Sequence, residues 1–418
     1  VVGNLSPTIP GVSVPTGTTV NRPLRVLIGA DTFPPDINGA ARFTARLAAG
    51  LAGRGHEVHV VAPSDTGPAS SPVPAAGMTA VHRLRSYRVP GQDRFRACLP
   101  GPAAAGAQRV LRAVRPDVVH VQSHFQVGRG LLAAASAAGC PTVATNHFMP
   151  ENLLQHARVP DVLAERVSRW AWRDLARVYG AADVVTAPTP RAVELLGARA
   201  GLSGRAVSCG IDLSRFGTGG VEPEPASEPT VLFVGRLERE KRVDELIRAF
   251  ALVTGPARLE IVGDGTRRAG WSALARDLGL ADRVRFRGAV DDDALVAAYR
   301  RCAVFCMPGI AELQSLVTLE AMAAGRPVVA ADAVALPHLV HPGRNGLLYR
   351  PADVAGLAAA LTALLDDPAT RARMGAAGRE AAAAHDLDAT LDAFEDVYSD
   401  VRRGAARGRV RRPVAGVV

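Results

Sequence analysis

Short apolar runs alternate along the chain with longer stretches whose apolar residues recur every three to four positions. Residues 24–30, LRVLIGA, have the make-up of a buried strand. The loop DTFPPDING follows, punctuated by Pro34, Pro35 and Gly39. From Ala40 to Arg54 the residues Phe43, Leu47 and Leu51 share one helical face, and HEVHVVAP (56–63) is a second strand. Residues 64–81, rich in Ser, Pro and Ala, read as a loop. DVVHVQ (117–122), TVATN (142–146) and DVVTAPT (183–189) predict further strands, separated by helices over 129–138, 150–180 and 191–200. RAVSCGID (205–212) closes this series as a last strand and turn.

GTGGVEPEPASEP (217–229) shifts sharply to Gly, Pro and Glu and reads as a domain boundary, after which the pattern restarts. VLFVG (231–235), RLEIVGDG (258–265), RVRFRG (283–288), VFCMPG (304–309), PVVAAD (327–332) and GLLYR (346–350) predict strands. Helices fall over 243–253, 271–278 and 292–301, then from about Gln314 to Gly325, over the Ala-rich 353–385, and from Leu387 to Val401. Strand, glycine loop, helix, strand is the opening of a doubly wound parallel α/β fold. At 418 residues two domains are expected. The divisions are a disordered leader (1–22), a first domain (23–219), a second domain (220–386), the helix 387–401 and a basic tail (402–418).

Composition narrows the function classes. The net charge of +9 comes from arginine, because Lys241 is the only lysine, so a general Arg bias accounts for the high pI without a nucleic-acid partner. No basic run interleaved with aromatics supports one either. The charge does favour anionic ligands or anionic lipid. The five scattered cysteines (Cys98, Cys140, Cys209, Cys302, Cys306) read as buried reduced thiols of a cytosolic protein. No segment has the pattern of a signal peptide or a membrane span. Between His82 and Arg115 lie eight arginines with Tyr87, Phe95 and Leu99. A solvated face is the preferred reading there, and a face toward anionic lipid the alternative. Trp170, Trp172 and Tyr179 are expected in core or interdomain packing, with an acceptor-binding or membrane role as the alternative.

Candidate chemistry gathers at the ends of the predicted strands, where ligands of open parallel sheets lie. His124 and His147 fall there, with His147 preferred; a packing role is the alternative for His124. Gly39, at a helix start, permits close backbone approach to a ligand or is simply a helix-entry glycine. Arg236 and Lys241 flank the start of the Val243 helix, where two cations beside a helix amino end suit a diphosphate. Gly263 and Gly265 would admit a nucleotide closely. In PGIAELQSLVTLEAMAAG (308–325), Glu312 and Glu320 have seven residues between them. About eight residues of helix span ~12 Å, so one carboxylate would meet a sugar ring and the other a ribose diol. Taken alone, the pair reads more simply as an exposed and a capping glutamate. Asp291, Asp292 and Asp293 open a helix and read as its cap in preference to a metal site.

The ordered set GRLEREK (235–241), GDG (263–265), FRG (286–288) and ELQSLVTLEAMAAGRPVVA (312–330) resembles the GT-B glycosyltransferases of family GT4. TFPPDINGAARF (32–43) and TNHFMPENL (145–153) look like the same family's acceptor-side motifs. The resemblance runs from about Leu24 to Val401. It implies two Rossmann-like domains facing a cleft, with the helix 387–401 packing back on the first. It implies a nucleotide diphosphate sugar as donor, transfer with retention, and no metal or other cofactor. Arg236 and Lys241 would hold the diphosphate, Glu312 the sugar hydroxyls and Glu320 the ribose. His147 would lie by the donor sugar, and Gly39, Gly235, Gly263, Gly265 and Leu316 would belong to the donor site. His124, Asn146 and Phe148 would lie on the acceptor side. Gln314 and Ser315 depart from the Gly or aromatic-Gly pair of many members. The ELQS and HFMPEN wording looks most like bacterial glycolipid synthases and phosphatidylinositol mannosyltransferases. A GDP-mannose or UDP-glucose type of donor and a lipid hydroxyl acceptor at a cytoplasmic, peripheral membrane site are therefore expected. Alternatives are transfer to a soluble acceptor and a nucleotide-sugar binder without turnover.

Overall fold

The computed structural model describes residues 22–36, 38–75, 77–89, 92–150, 161–216 and 228–406. The leader up to residue 21, most of the 217–229 boundary, the ENL end (151–153) of the acceptor-side motif and the tail beyond Ala406 lie outside the described residues. In the first half the elements are β1 (Arg25–Gly29), α1 (Gly39–Gly53), β2 (Glu57–Pro63), β3 (Val73–Ala75), β4 (Met78–Leu84), β5 (Tyr87–Val89), β6 (Gln92–Ala97), α2 (Pro100–Val114), β7 (Val118–Val121), α3 (Gln126–Ala137), β8 (Thr142–Thr145), α4 (Asp161–Tyr179), β9 (Val184–Ala187), α5 (Pro190–Ala200) and β10 (Arg205–Ala206). One eight-stranded sheet has the order β10-β9-β8-β7-β1-β2-β4-β3, parallel except for β3. β7 (VVHV) and β8 (TVAT) are buried along their whole length because helices cover both faces, and their polar members are paired inside: His120 with Tyr398 and Thr145, Thr142 with Asp183.

The second half runs β11 (Thr230–Val234), α6 (Val243–Ala251), β12 (Arg258–Val262), α7 (Arg268–Asp277), β13 (Val284–Gly288), α8 (Asp292–Arg301), β14 (Val304–Met307), α9 (Leu316–Ala323), β15 (Val328–Ala331), α10 (Leu336–Leu339), β16 (Gly346–Tyr349), α11 (Val354–Asp366) and α12 (Pro368–Ala383), with α13 (Leu387–Ala406) last. Its six parallel strands have the order β13-β12-β11-β14-β15-β16. Strand order reverses between β1 and β7 in one sheet and between β11 and β14 in the other. At such switch points the loops splay apart and leave a crevice for ligand.

Helix α13 returns to the first sheet. His120 on β7 bonds Tyr398 (2.8 Å), Phe394 packs on Phe43, and Arg54 pairs with Asp388, Asp392 and Glu395. The helix runs five residues past the expected Val401, so 402–406 belong to it and not to a tail. Arg403 bonds Asp400 (2.6 Å) and Arg402 reaches Asp117 (3.9 Å), which holds the extra turn.

Other expectations are corrected. The expected loop over 64–81 contains β3 and the start of β4. The polar residues that hid β4 each have a partner: Thr79 accepts from Val58 N, His82 bonds His59, and Arg83 donates to Pro63 O. The arginine-rich 82–115 is the end of β4, the β5–β6 pair and α2, not one face. Arg83 also donates to the Pro34 carbonyl and lies over Phe33, bracing the loop after β1. The Ala-rich helix breaks at Asp367, whose carboxylate accepts from Thr370 N (2.9 Å) with Pro368 as the first helical residue. Trp172 and Tyr179 are buried, but Trp170 is 62% exposed and packs in no core. Cys140 is only partly buried, the other four cysteines are buried, and none of the five forms a disulfide among the described residues.

Candidate functional site

The loop after β14 meets the segments after β9 and β10 of the first domain, and Ile310 N ties it to the loop after β11. After β11 the chain passes Gly235 and Arg236 into a single 3-10 turn, Arg239–Lys241, before Arg242 (φ +49°) redirects it into α6. The turn aims Lys241 at Glu312, and the two form a close ion pair with side chains only 16% and 12% exposed. Gly309 lies beside them. A Cβ there would sit 3.2 Å from Glu312 Oε1 and 3.5 Å from Lys241 Cδ, so glycine keeps that space open. Arg236 is half-exposed and donates to Glu240 (3.2 Å), so its guanidinium is tethered on one side only. Glu240 is buried, and its carbonyl accepts from Ile310 N (3.1 Å), tying the β11 loop to the β14 loop.

Helix α9 begins at Leu316, two residues later than the sequence pattern suggests. Ser315 is its N-cap and no side chain caps the first turn, so the N–H groups at the very start of the helix are left open at its amino end. Gln314 does not enter the helix because its side chain crosses to the first domain. Its Oε1 accepts from Cys209 N (2.8 Å) and its Nε2 donates to Ser208 Oγ (2.9 Å). Leu313 is buried in the first domain's apolar cluster and its carbonyl accepts from Thr189 (2.9 Å). One turn into α9, Glu320 is buried and accepts from Tyr299 OH (3.0 Å). Burial raises its carboxyl above the usual range, outweighing the lowering effect of nearby Arg46 and of the Tyr299 bond.

On the opposite wall, His147 follows β8. It donates from Nε2 to Gln122 Oε1 (2.8 Å), its Nδ1 lies 3.8 Å from Cys209 Sγ, and its ring packs 4.9 Å from Phe43. Gln122 in turn donates to His120 Nε2 (3.1 Å). A relay from Tyr398 through His120 and Gln122 therefore fixes the His147 ring. Because Cys209 also holds Gln314, His147 stands next to the Glu312–Leu316 segment. Burial pushes His147 down to about 4, so the ring is neutral near pH 7. His124 is also buried and pushed down to about 4. Its Nδ1 has no partner among the described residues, and it packs on Phe125, Phe148 and Tyr179.

Lys241, Glu312, Gly235, Arg236 and the start of α9 therefore come together, with His147 facing them. Four expected residues have local duties. Asn146 is buried and its side chain accepts from Phe148 N (3.2 Å), closing a turn. A Cβ on Gly263 would collide with the Gly235 carbonyl, and one on Gly265 with the Leu237 backbone, so both glycines let the β12 loop pack on the β11 loop and neither opens onto free space. The Leu316 side chain packs against the apolar clusters of both domains. At Gly39, by contrast, a Cβ would meet nothing within 4 Å, so the protein's own packing does not demand glycine there. Asp291 caps α8 by accepting from Ala294 N (2.8 Å), and Asp292 pairs with Arg215 (2.9 Å). Among the described residues no group of three metal-ligating side chains converges and no helix is long and apolar enough to cross a membrane.

Sequence reasoning missed Tyr299, Gln122, Gln314's crossing and Arg46. On α1, Arg46 follows Phe43 by one turn, and the cluster around Phe43 receives Leu316, one turn before Glu320. The Nε and Nη2 of Arg46 are buried without a partner among the described residues. Burial lowers its basicity, and Glu320 is the opposite charge that acts on it most. No periodicity marks such an arginine, because its position on the buried side of α1 would ordinarily hold an apolar residue.

The family model described as Glycosyltransferase Family 4 matches residues 37–215, and the model described as Glycosyl transferases group 1 matches residues 220–381. A GDP-mannose-dependent alpha-mannosyltransferase of Mycolicibacterium smegmatis is 34% identical over 371 residues, covering 86% of this chain and 93% of that protein. A glycogen synthase of Mycobacterium tuberculosis is 30% identical over 388 residues, covering 85% and 90%. In fold, the chain is similar to the sucrose-phosphate synthase of Thermosynechococcus elongatus, with a TM-score of 0.76 at 22% identity over 91% of this chain and 100% of that one. The chain belongs to the group 1 glycosyltransferases of Family 4, and is a GT-B hexosyltransferase that uses a nucleotide-sugar donor.

Proposed function

We propose that the protein moves a hexose from a GDP-mannose or UDP-glucose type of donor, with retention, to the hydroxyl of a lipid or lipid-like acceptor. The observation that carries the donor half is the Lys241–Glu312 pair at the β11/β14 switch point, beside an α9 amino end that no side chain caps. An ammonium has three N–H donors, and Glu312 uses one. The others, with Arg236 and the first-turn N–H groups, would take the diphosphate. Glu312 would then accept from sugar hydroxyls and Glu320 from the ribose, with the unpartnered Arg46 guanidinium closing on the nucleotide from the first domain. Gly39, which nothing in the protein crowds, would let the sugar phosphate approach α1.

In this reading the leaving phosphate oxygen takes the proton of the acceptor hydroxyl as the new glycosidic bond forms on the same face. Lys241 and Arg236 stabilise the charge developing on that phosphate. No side-chain nucleophile is required. His147, neutral near pH 7, shapes the sugar pocket and carries no charge into it. The M. smegmatis relative supports a GDP-mannose donor. The aromatic wall of Phe125, Phe148 and His124 supports an acceptor with apolar character. The similarity to a glycogen synthase favours a second reading, the same transfer to a soluble acceptor.

The test is thermal shift with GDP-, UDP- and ADP-sugars and their free nucleotides, followed by product analysis with the donor that binds. A selective shift is expected, because a ligand of the folded state raises the melting temperature by mass action. A product with the donor's anomeric configuration supports retention, and an inverted product refutes the front-face mechanism.

A further inference from the structure

Helix α4 carries an exposed face that the donor chemistry does not use. Leu163, Arg166, Trp170, Arg173 and Arg177 follow one another at spacings of three, four, three and four, with Arg169 flanking them. At 3.6 residues per turn these six share about a third of the helix circumference. All six are exposed, Leu163 at 42% and Trp170 at 62%. The opposite face, with Ala171, Trp172, Leu175, Val178 and Tyr179, is buried. Among the described residues, the acids that pair with the stripe's arginines are Glu165, 3.9 Å from Arg169, and Asp174, which is committed to Arg129 and lies 3.8 Å from Arg177. Four guanidinium groups therefore stand in line with a tryptophan and a leucine, two side chains that a solvated face has no reason to expose.

We propose that this face of α4 docks the enzyme on an anionic lipid bilayer. Arginine matches lipid phosphate, while Trp170 and Leu163 suit the boundary between headgroup and acyl chain. The stripe from Leu163 to Arg177 spans about 20 Å at 1.5 Å per residue, so the helix lies flat on the surface. The inner face of the same helix adjoins the acceptor wall. Tyr179 OH donates to the Thr145 carbonyl (3.1 Å) at the end of β8, and its ring lies 5.8 Å from His124. Docking and acceptor entry thus share one rigid element. The proposal rests on the lipid-acceptor reading for its purpose but not for its evidence.

The experiment uses the whole chain with vesicles of phosphatidylcholine, with and without phosphatidylglycerol, at low and raised salt. Binding is read by co-sedimentation and by quenching of tryptophan fluorescence with lipids brominated on their acyl chains. Of the three tryptophans, Trp172 and Trp271 are buried, so quenching reports Trp170. Binding to the anionic vesicles alone, lost at raised salt, is expected. Each arginine near such a surface adds about fivefold to binding, so R166E/R173E should weaken it by about 25-fold or more, and W170A should abolish the quenching. These side chains are exposed, so the melting temperature should be unchanged. Absence of binding to anionic vesicles overturns the proposal, as does binding that the variants leave intact. Salt-sensitive binding to an oligonucleotide without binding to vesicles overturns it too. If vesicles bind but only a water-soluble acceptor is glycosylated, docking stands and the lipid-acceptor reading falls. If a detergent-dispersed lipid is glycosylated while vesicles do not bind, the reverse holds.

Discussion

Lys241→Met removes one charge and keeps most of the stem that packs between Gly235 and Gly309. Two costs should separate. The first is catalytic: a preorganised donor aimed at a developing oxyanion contributes about 10²–10³ in kcat, roughly 3–4 kcal/mol. With Lys241 only 16% and Glu312 only 12% exposed, water replaces the lost charge poorly, so the upper part of that range is expected. The second is structural, because the variant strands the Glu312 carboxylate. Removing one member of a buried pair costs about 3–5 kcal/mol, and the residual exposure here places the loss near or below the lower figure. The double variant Lys241→Met/Glu312→Gln no longer strands a charge. It should recover most of the melting temperature and none of the kcat. Nucleotide release under initial-rate conditions gives the first quantity and calorimetry the second. If the double variant regains kcat to within about tenfold of the parent, Lys241 serves only to neutralise Glu312, and the leaving-group role is refuted.

Glu320→Gln keeps the Tyr299 bond and removes the charge; GDP or UDP affinity should fall by about 10–100-fold while pyrophosphate affinity holds, and an equal loss for pyrophosphate would take Glu320 off the ribose. Arg46→Met should weaken nucleotide binding by about tenfold or more; unchanged affinity with a shifted melting temperature would make Arg46 a purely structural bridge between the domains. Acid should destabilise the fold well above the ordinary carboxylate range. His120 is pushed down to about 3, and His124 and His147 to about 4, by burial, so between pH 6.5 and 4 the unfolded chain binds protons that the folded one refuses. Each histidine then removes up to ~1.4 kcal/mol per pH unit as pH falls, partly offset by Asp31 and Glu320, whose carboxyls burial raises. A melting temperature that stays flat from pH 6.5 to 5 would contradict this, and His124→Asn should make the fall shallower.

Most of the strands were legible because both faces of these parallel sheets are covered, so runs such as Val26–Ile28 are wholly apolar and Val118–Val121 is broken only by His120, which is paired inside. β4 was hidden for the converse reason. It lies near the sheet edge, and Thr79, His82 and Arg83 each answer a specific neighbour there. The Lys241 signal survived because one lysine among 48 arginines is a choice of residue, visible without any structure. The duties of Gly263, Gly265 and Asn146 could not be read, because packing glycines and turn-closing asparagines look the same in sequence as ligand-facing ones. Arg46 was invisible for a deeper reason: its significance is the lack of a partner, and partners come from elements far apart in the chain.

The segment Glu312–Leu316 shows how one departure from the family's wording can be structural and not merely tolerated. A glycine at position 314 would offer the sugar more room, but it could not reach Cys209 N or Ser208 Oγ. Here Gln314 makes both contacts, Leu313 enters the first domain's core, and Leu316 packs against both domains. Glu312 is thus held by its own domain through Lys241 and by the other through its neighbours on the chain. The same Cys209 that anchors Gln314 by its backbone faces His147 with its thiol. Gln314 therefore couples Glu312 on one domain to His147 on the other, and on the proposed reading this domain contact sets the width of the sugar site.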